Sequence, residues 1–159
     1  MGPIETDAFV WRLGAAILCG LILGIDRELR NKPLGLRSYV IVCAASAAWA
    51  MTAIDFAFQM ARAQPDLAAD PTRVIQGLVG AIGFLGAGAI LSRKQDGHLK
   101  GVASGATIWA SGAVGMACGT GQIVHALIVS VALALVLNLY EFAVRRLGPA
   151  NASMPRDDR

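Results

Sequence analysis

The sequence predicts an all-α fold: a polytopic helical membrane bundle of about five transmembrane helices. Three observations carry that expectation. The first is composition: of 159 residues, 55% are hydrophobic and 16% charged, against roughly 45–50% and about 25% in an average globular domain. Mean hydropathy is +0.56. The second is the alternation of long apolar runs with short polar connections. The third is that the runs lack the polar residue every three or four positions that a water-exposed helix face requires. Residues 123–137, for instance, offer only His125 and Ser130. Disorder is excluded, because a disordered chain is poor in apolar residues and rich in charge, and a soluble coiled coil is excluded with it.

The runs lie at about 8–25, 36–60, 74–91, 101–118 and 123–144, each near the ~20 residues that cross a hydrocarbon core. Glu5 and Asp7 precede the first run, and Asp26-Arg27-Glu28 ends it. A cleaved signal needs a basic leader and a small-residue cleavage site, so this run reads as a retained span. Pro33 stops any extension of its helix. The second run carries Asp55 near its far end. An acid at the bilayer centre costs roughly 2.5–3.5 kcal/mol, which places Asp55 near a surface or inside the bundle. Asp70 and Pro71 open the third run as N-cap and first helical residue. Gly119-Thr120-Gly121 makes a tight turn between the fourth and fifth, and Gly148-Pro149 ends the last helix. Residues 1–147 thus read as one transmembrane domain and 148–159 as a short cytoplasmic tail.

Charge orients the bundle. Eleven of the fourteen lysines and arginines fall on one side, ten in the connections 26–35 and 92–100 and after residue 144, and Arg37 at the start of the second run; Arg12, Arg62 and Arg73 fall on the other side. The positive-inside rule then puts the N-terminus outside and the C-terminus in the cytoplasm. Basic residues confined to span ends describe topology, so nucleic-acid binding is excluded. Cys19, Cys43 and Cys118 are odd in number, lie in apolar runs and form no C-x-x-C pair. They read as small packing residues rather than a disulfide framework or zinc site.

Three patterns carry potential function. Gly77, Gly80, Gly83 and Gly86 recur every third residue in the third span, with Gly88 following. Such a face admits a neighbouring helix closely or leaves backbone that unwinds beside a cavity. Ser104, Thr107 and Ser111 share one face of the fourth span with Gly101 and Gly115. With Gln76 they form a small polar surface suited to interhelical hydrogen bonds or to a ligand. The connection from Asp26 to Lys32 is the densest polar cluster, with Asp26 and Arg30 at i, i+4 in the favourable order. Its arginines read as topological anchors, and its carboxylates pair with arginines or hold a hard cation; no metal is assigned. Asp26, Glu28, Arg30 and Arg37 are expected to pair in the cytoplasmic layer, with Asp70 and Arg73 on the opposite face. Ser111 and His125 both lie toward the outer side, but a serine–histidine reading has no further support in the sequence.

Several of these residues stand in ordered motifs. Gly20-Leu-Ile-Leu-Gly-Ile-Asp-Arg-Glu, followed by Lys32-Pro-Leu-Gly-Leu-Arg-Ser, resembles the opening of the MgtC/SapB family of bacterial inner-membrane proteins. Asp70-Pro-Thr-Arg-Val, then Gly80-Ala-Ile-Gly-Phe-Leu-Gly-Ala-Gly-Ala-Ile, resembles its central signature, and Lys100-Gly-Val-Ala-Ser-Gly-Ala-Thr-Ile-Trp-Ala-Ser-Gly-Ala-Val-Gly the stretch that closes it. Matching positions include Gly24, Arg27, Glu28, Gly35, Arg37, Asp70, Arg73, Gly83, Gly86, Gly88, Thr107 and Trp109. Asp26 stands where the family often has glutamate. The resemblance covers about residues 10–140 and is to the short, SapB-like form without a soluble C-terminal domain.

The resemblance implies an integral inner-membrane protein linked to growth in low magnesium and to survival in host cells. No cofactor is expected, and, with no catalytic set in the sequence, no enzymatic activity. The function expected is a non-enzymatic regulator of ion or magnesium homeostasis, or of another membrane complex such as the F-type ATP synthase. The alternative is a small oligomeric ion transporter or channel. The partners expected are the lipid bilayer, such a complex, and further copies of the chain.

Overall fold

The computed structural model describes residues 3–29, 34–64, 70–91, 94–95, 98–99 and 101–147. Within them the chain forms five helices: α1 (Thr6–Leu29), α2 (Leu36–Ala63), α3 (Thr72–Leu91), α4 (Val102–Gly119) and α5 (Ile123–Leu147). A two-residue antiparallel ladder, β1 (Lys94–Gln95) with β2 (His98–Leu99), lies between α3 and α4. Arg30, Lys32 and the tail 148–159 lie outside the described residues, and with them the expected Asp26–Arg30 pair.

Local chemistry sets the helix ends. Asp70 Oδ1 accepts from the Thr72 backbone N–H at 2.9 Å and from its hydroxyl at 2.6 Å, which caps α3. These two hydrogen bonds, with the Arg73 charge nearby, hold the Asp70 carboxyl below the ordinary aspartate range. At the α4–α5 corner, Gly121 adopts φ +88°. Its N–H donates to Cys118 O and that of Gln122 to Ala117 O, so α4 closes in a Schellman motif that needs the left-handed glycine.

Helix α4 is the centre of the bundle and packs against all four others; α1 also packs on α2 and α5. The core is made of small side chains. Ala16, Cys19, Tyr39, Cys43, Ala47, Met51, Ser111 and Cys118 are fully buried, while Phe84, Ile128, Val136 and Leu139 point outward. That inversion suits a bundle surrounded by lipid, where close backbone approach replaces large apolar side chains as the source of packing. All three cysteines are free and buried.

Among the described residues, four helices are each long and apolar enough to cross a membrane: α1, α2, α3 and α5. The fourth of the five expected runs falls outside that set. Helix α4 carries Ser104, Thr107, Ser111 and glycines 105, 112, 115 and 119 over its 18 residues. These lower its hydropathy, and it is also the helix most enclosed by the others.

Glycine contacts bring α1, α2 and α4 together. A Cβ at Gly20 would lie 2.7 Å from Val40 Cα, and one at Gly24 would lie 2.9 Å from Leu36 Cα. A Cβ at Gly115 would overlap the Cys43 backbone, and one at Gly119 the Ala47 backbone.

Candidate functional site

Gly20, Gly24 and Arg27 are spaced i, i+4, i+7 and therefore share one face of α1. The glycines bring that face against the start of α2, and the same approach carries Arg27 inward. The Arg27 side chain is 2% exposed. Its Nη2 donates to Thr107 Oγ1 at 2.9 Å, and the Thr107 hydroxyl donates in turn to Ala103 O at 2.6 Å. Tyr39, in the first turns of α2, is fully buried, with its hydroxyl beside Arg27 and Thr107. Neither Arg27 Nε nor Tyr39 Oη has a hydrogen-bond partner. The bundle therefore holds a guanidinium bonded to one neutral hydroxyl, with no carboxylate in ion-pair reach among the described residues. This departs from the expectation of a topological anchor at the membrane edge: the close α1–α2 contact draws the guanidinium inside instead.

The other expected members of this cluster serve different ends. Glu28 is exposed, and its Oε2 accepts from the Leu36 N–H at 2.9 Å. It caps α2, whose N-cap residue Gly35 supplies no side-chain bond. A Cβ on Gly35 would stand 2.5 Å from that carboxylate oxygen, the movable end of a flexible side chain. Asp26 is half-buried. Arg37 is exposed and has no ion pair with a described residue. The expected pairing of Glu28 and Arg37 is not formed; the carboxylate caps α2 instead.

Ser104, Thr107 and Ser111 are buried on one face of α4. Ser111 donates to Ile108 O at 2.7 Å, and its carbonyl accepts from Cys43 Sγ at 3.1 Å. The hydroxyls of Thr107 and Ser111 are thus spent on the backbone of their own helix, and only Thr107 reaches another charged group. Gln76 is exposed on α3 and outside this set, and Trp109 is 47% exposed on α4. Ser111 and His125 do not meet, since His125 is exposed on α5 beside Ala113 and Ala117.

The opposite end of α1 mirrors the Arg27 contact. Arg12 Nη1 donates to Gly119 O at 2.9 Å. Cys19 and Cys118 meet between the two arginines, Sγ to Sγ 4.0 Å. These three contacts fix α1 and α4 antiparallel. Nearby, Asp55 Oδ1 accepts from the Ile4 N–H at 2.8 Å, tying the chain ahead of α1 to α2. Asp70 and Arg73 border a cavity of about 340 Å³ with Phe56, in the C-terminal half of α2. They therefore lie toward the Asp55 end of α2, away from the Arg27 layer.

Along α3, only Gly86 of the every-third glycines meets another helix: a Cβ there would lie 3.1 Å from Gly105 O. Gly77, Gly80, Gly83 and Gly88 face open space. Sequence reasoning missed Tyr39 altogether and the burial of Arg27. The signal for the latter was the Gly20, Gly24, Arg27 spacing, which puts the charge on the packing face.

The family model of the MgtC family matches residues 13–146. The chain belongs to the MgtC family. Among its relatives in that family, protein SapB of Bacillus subtilis (strain 168) is 31% identical over 146 residues, covering 92% of this chain and 62% of that protein. The putative magnesium transporter YhiD of Escherichia coli (strain K12) is 36% identical over 143 residues, covering 89% and 65%. Protein MgtC of Salmonella typhimurium (strain 14028s / SGSC 2262) is 28% identical over 151 residues, covering 95% and 60%. The chain spans under two thirds of the length of each. No solved structure matches it. The chain is thus a multi-pass membrane protein of the MgtC family.

Proposed function

We propose that this MgtC-family bundle is a non-enzymatic regulator of magnesium-linked ion homeostasis in the bacterial inner membrane, acting on another membrane complex through its helix faces. The observation that carries this reading is the buried Arg27. A path for a divalent cation through α1, α2 and α4 would pass a desolvated guanidinium, whose repulsion is strongest where the dielectric is low. The open glycine stripe of α3 supplies a face on which a partner helix can dock.

In this reading α4 crosses the membrane as the fifth span. Its 18 residues extend about 27 Å, and it is tied to α1 near both ends. The N-terminus then lies outside and the C-terminus in the cytoplasm, in agreement with the lysine and arginine bias. A cysteine placed at Asp70 is expected to label from outside and one at Glu28 is not; the reverse pattern overturns the orientation.

Deletion of the gene tests the function. Impaired growth in low magnesium, with altered membrane potential or ATP level, is expected. Unchanged growth, potential and ATP would contradict the proposal. A second reading, a small oligomeric transporter, is favoured by the name of the Escherichia coli relative. Purified protein in liposomes separates the two: no Mg²⁺, Na⁺, K⁺ or H⁺ flux above empty vesicles is expected of a regulator, and flux above them supports the transporter.

A further inference from the structure

Arg27 is a charge the fold has not neutralised. Its guanidinium is 2% exposed and makes one hydrogen bond, to a neutral hydroxyl. Taking such an ion out of water costs several kcal/mol unless an opposite charge and further hydrogen bonds compensate. Two buried donors, Arg27 Nε–H and the Tyr39 hydroxyl, have no acceptor. Glu28, the carboxylate one residue on, is committed to the Leu36 N–H.

The surrounding backbone has the same sign. Tyr39 and Thr107 lie in the first two turns of α2 and α4, so both helices turn their positive ends toward this layer. The N-cap of α4, Gly101, supplies no side-chain bond. Two unpaired donors, a full positive charge and two helix N-termini converge, and each of them favours negative charge; the opposing group is the half-buried Asp26 carboxylate, one residue before Arg27.

We infer that Arg27 and Tyr39 form a binding site for a small inorganic anion, held between the guanidinium Nε–H and the tyrosine hydroxyl. Size follows from burial. Burial this complete excludes a lipid headgroup or nucleotide, so the anion inferred is one of chloride or nitrate size. Both monovalent anions shed water more readily than a doubly charged one, which suits a desolvated site. The inference stands apart from the choice between regulator and transporter, because the unbalanced charge belongs to the folded bundle.

The test uses the full chain purified in a neutral detergent, with thermal unfolding followed by tryptophan fluorescence. Sodium chloride, nitrate or sulfate replaces sodium gluconate at constant ionic strength. A saturable rise in the midpoint with chloride or nitrate over gluconate is expected, since a ligand that binds only the folded state stabilises it by mass action. R27Q is expected to weaken the apparent affinity by about tenfold or more, and Y39F by about threefold to tenfold. R27Q strands no buried partner charge; should it fail to fold, Y39F and R27K carry the test, R27K weakening nitrate more than chloride through loss of the planar fork. No response to any of the anions overturns the proposal. So does a response to sulfate alone, which reports exclusion from the surface, or a wild-type response in both Y39F and the Arg27 variant.

Discussion

The α1–α2–α4 core and the outer helix α3 use glycine in opposite ways. In the core, Gly20, Gly24, Gly115 and Gly119 stand where any Cβ would strike a neighbouring backbone. In α3, the more regular series Gly77, Gly80, Gly83 and Gly88 meets nothing, and only Gly86 touches Gly105. The comparison teaches that a regular glycine stripe marks a face available for close approach, while the partner that fills it has to be found in three dimensions. In α3 the face is open in the single chain. In the core it is closed, and its closure buries Arg27.

The largest expected effect lies in the core. Gly115→Val and Gly119→Val drive a branched side chain into the Cys43 or Ala47 backbone, with a cost of about 3 kcal/mol or more. Loss of folded protein from the membrane fraction checks this, and wild-type levels would break the distinction between the regions. Next comes the α4–α5 corner. Gly121→Ala forces a Cβ into φ +88°, with an expected loss of about 1–2 kcal/mol read from the unfolding midpoint. Of similar or smaller size, Glu28→Ala removes the bond to the Leu36 N–H and should cost about 1 kcal/mol, while Glu28→Gln, which keeps an acceptor oxygen, should lose less.

The smallest effect belongs to the start of α3. The carboxyl of Asp70 is held below its usual range by the Thr72 hydrogen bonds. A group whose folded value is depressed stabilises fully above its unfolded value, about pH 3.9, and loses that contribution as pH falls through the lower folded value. Protection of the Thr72 amide, relative to its intrinsic exchange rate at each pH, should therefore fall below about pH 4 in the wild type. In Asp70→Ala that protection should be low at every pH.

Much of this fold was legible in the chain. The helices begin and end within a few residues of the apolar runs, because Pro33, the Asp70-Pro71 pair and Gly119-Thr120-Gly121 are local signals that act whatever the tertiary structure. The candidate site was legible only in pieces. Arg27 and Thr107 were visible as motif residues, but an arginine at the end of an apolar run reads as an anchor, and 80 positions separate it from its partner. Tyr39 carried no pattern, since one aromatic residue early in a helix looks the same facing lipid or a guanidinium. The failure of Gln76 to join the hydroxyls of α4 had no local sign either, as it depends on the rotation of α3 about its axis.

The most direct test applies one substitution to both regions: Gly20→Ala and Gly80→Ala, with unfolding midpoints measured in the same detergent. The expected result is a clear fall for Gly20→Ala, whose Cβ meets Val40 and Tyr39 backbone, and no fall, or a small rise from helix propensity of up to about 1 kcal/mol, for Gly80→Ala. Equal losses at both positions, or a loss at Gly80 alone, would contradict the division between a closed core around Arg27 and an open glycine face on α3.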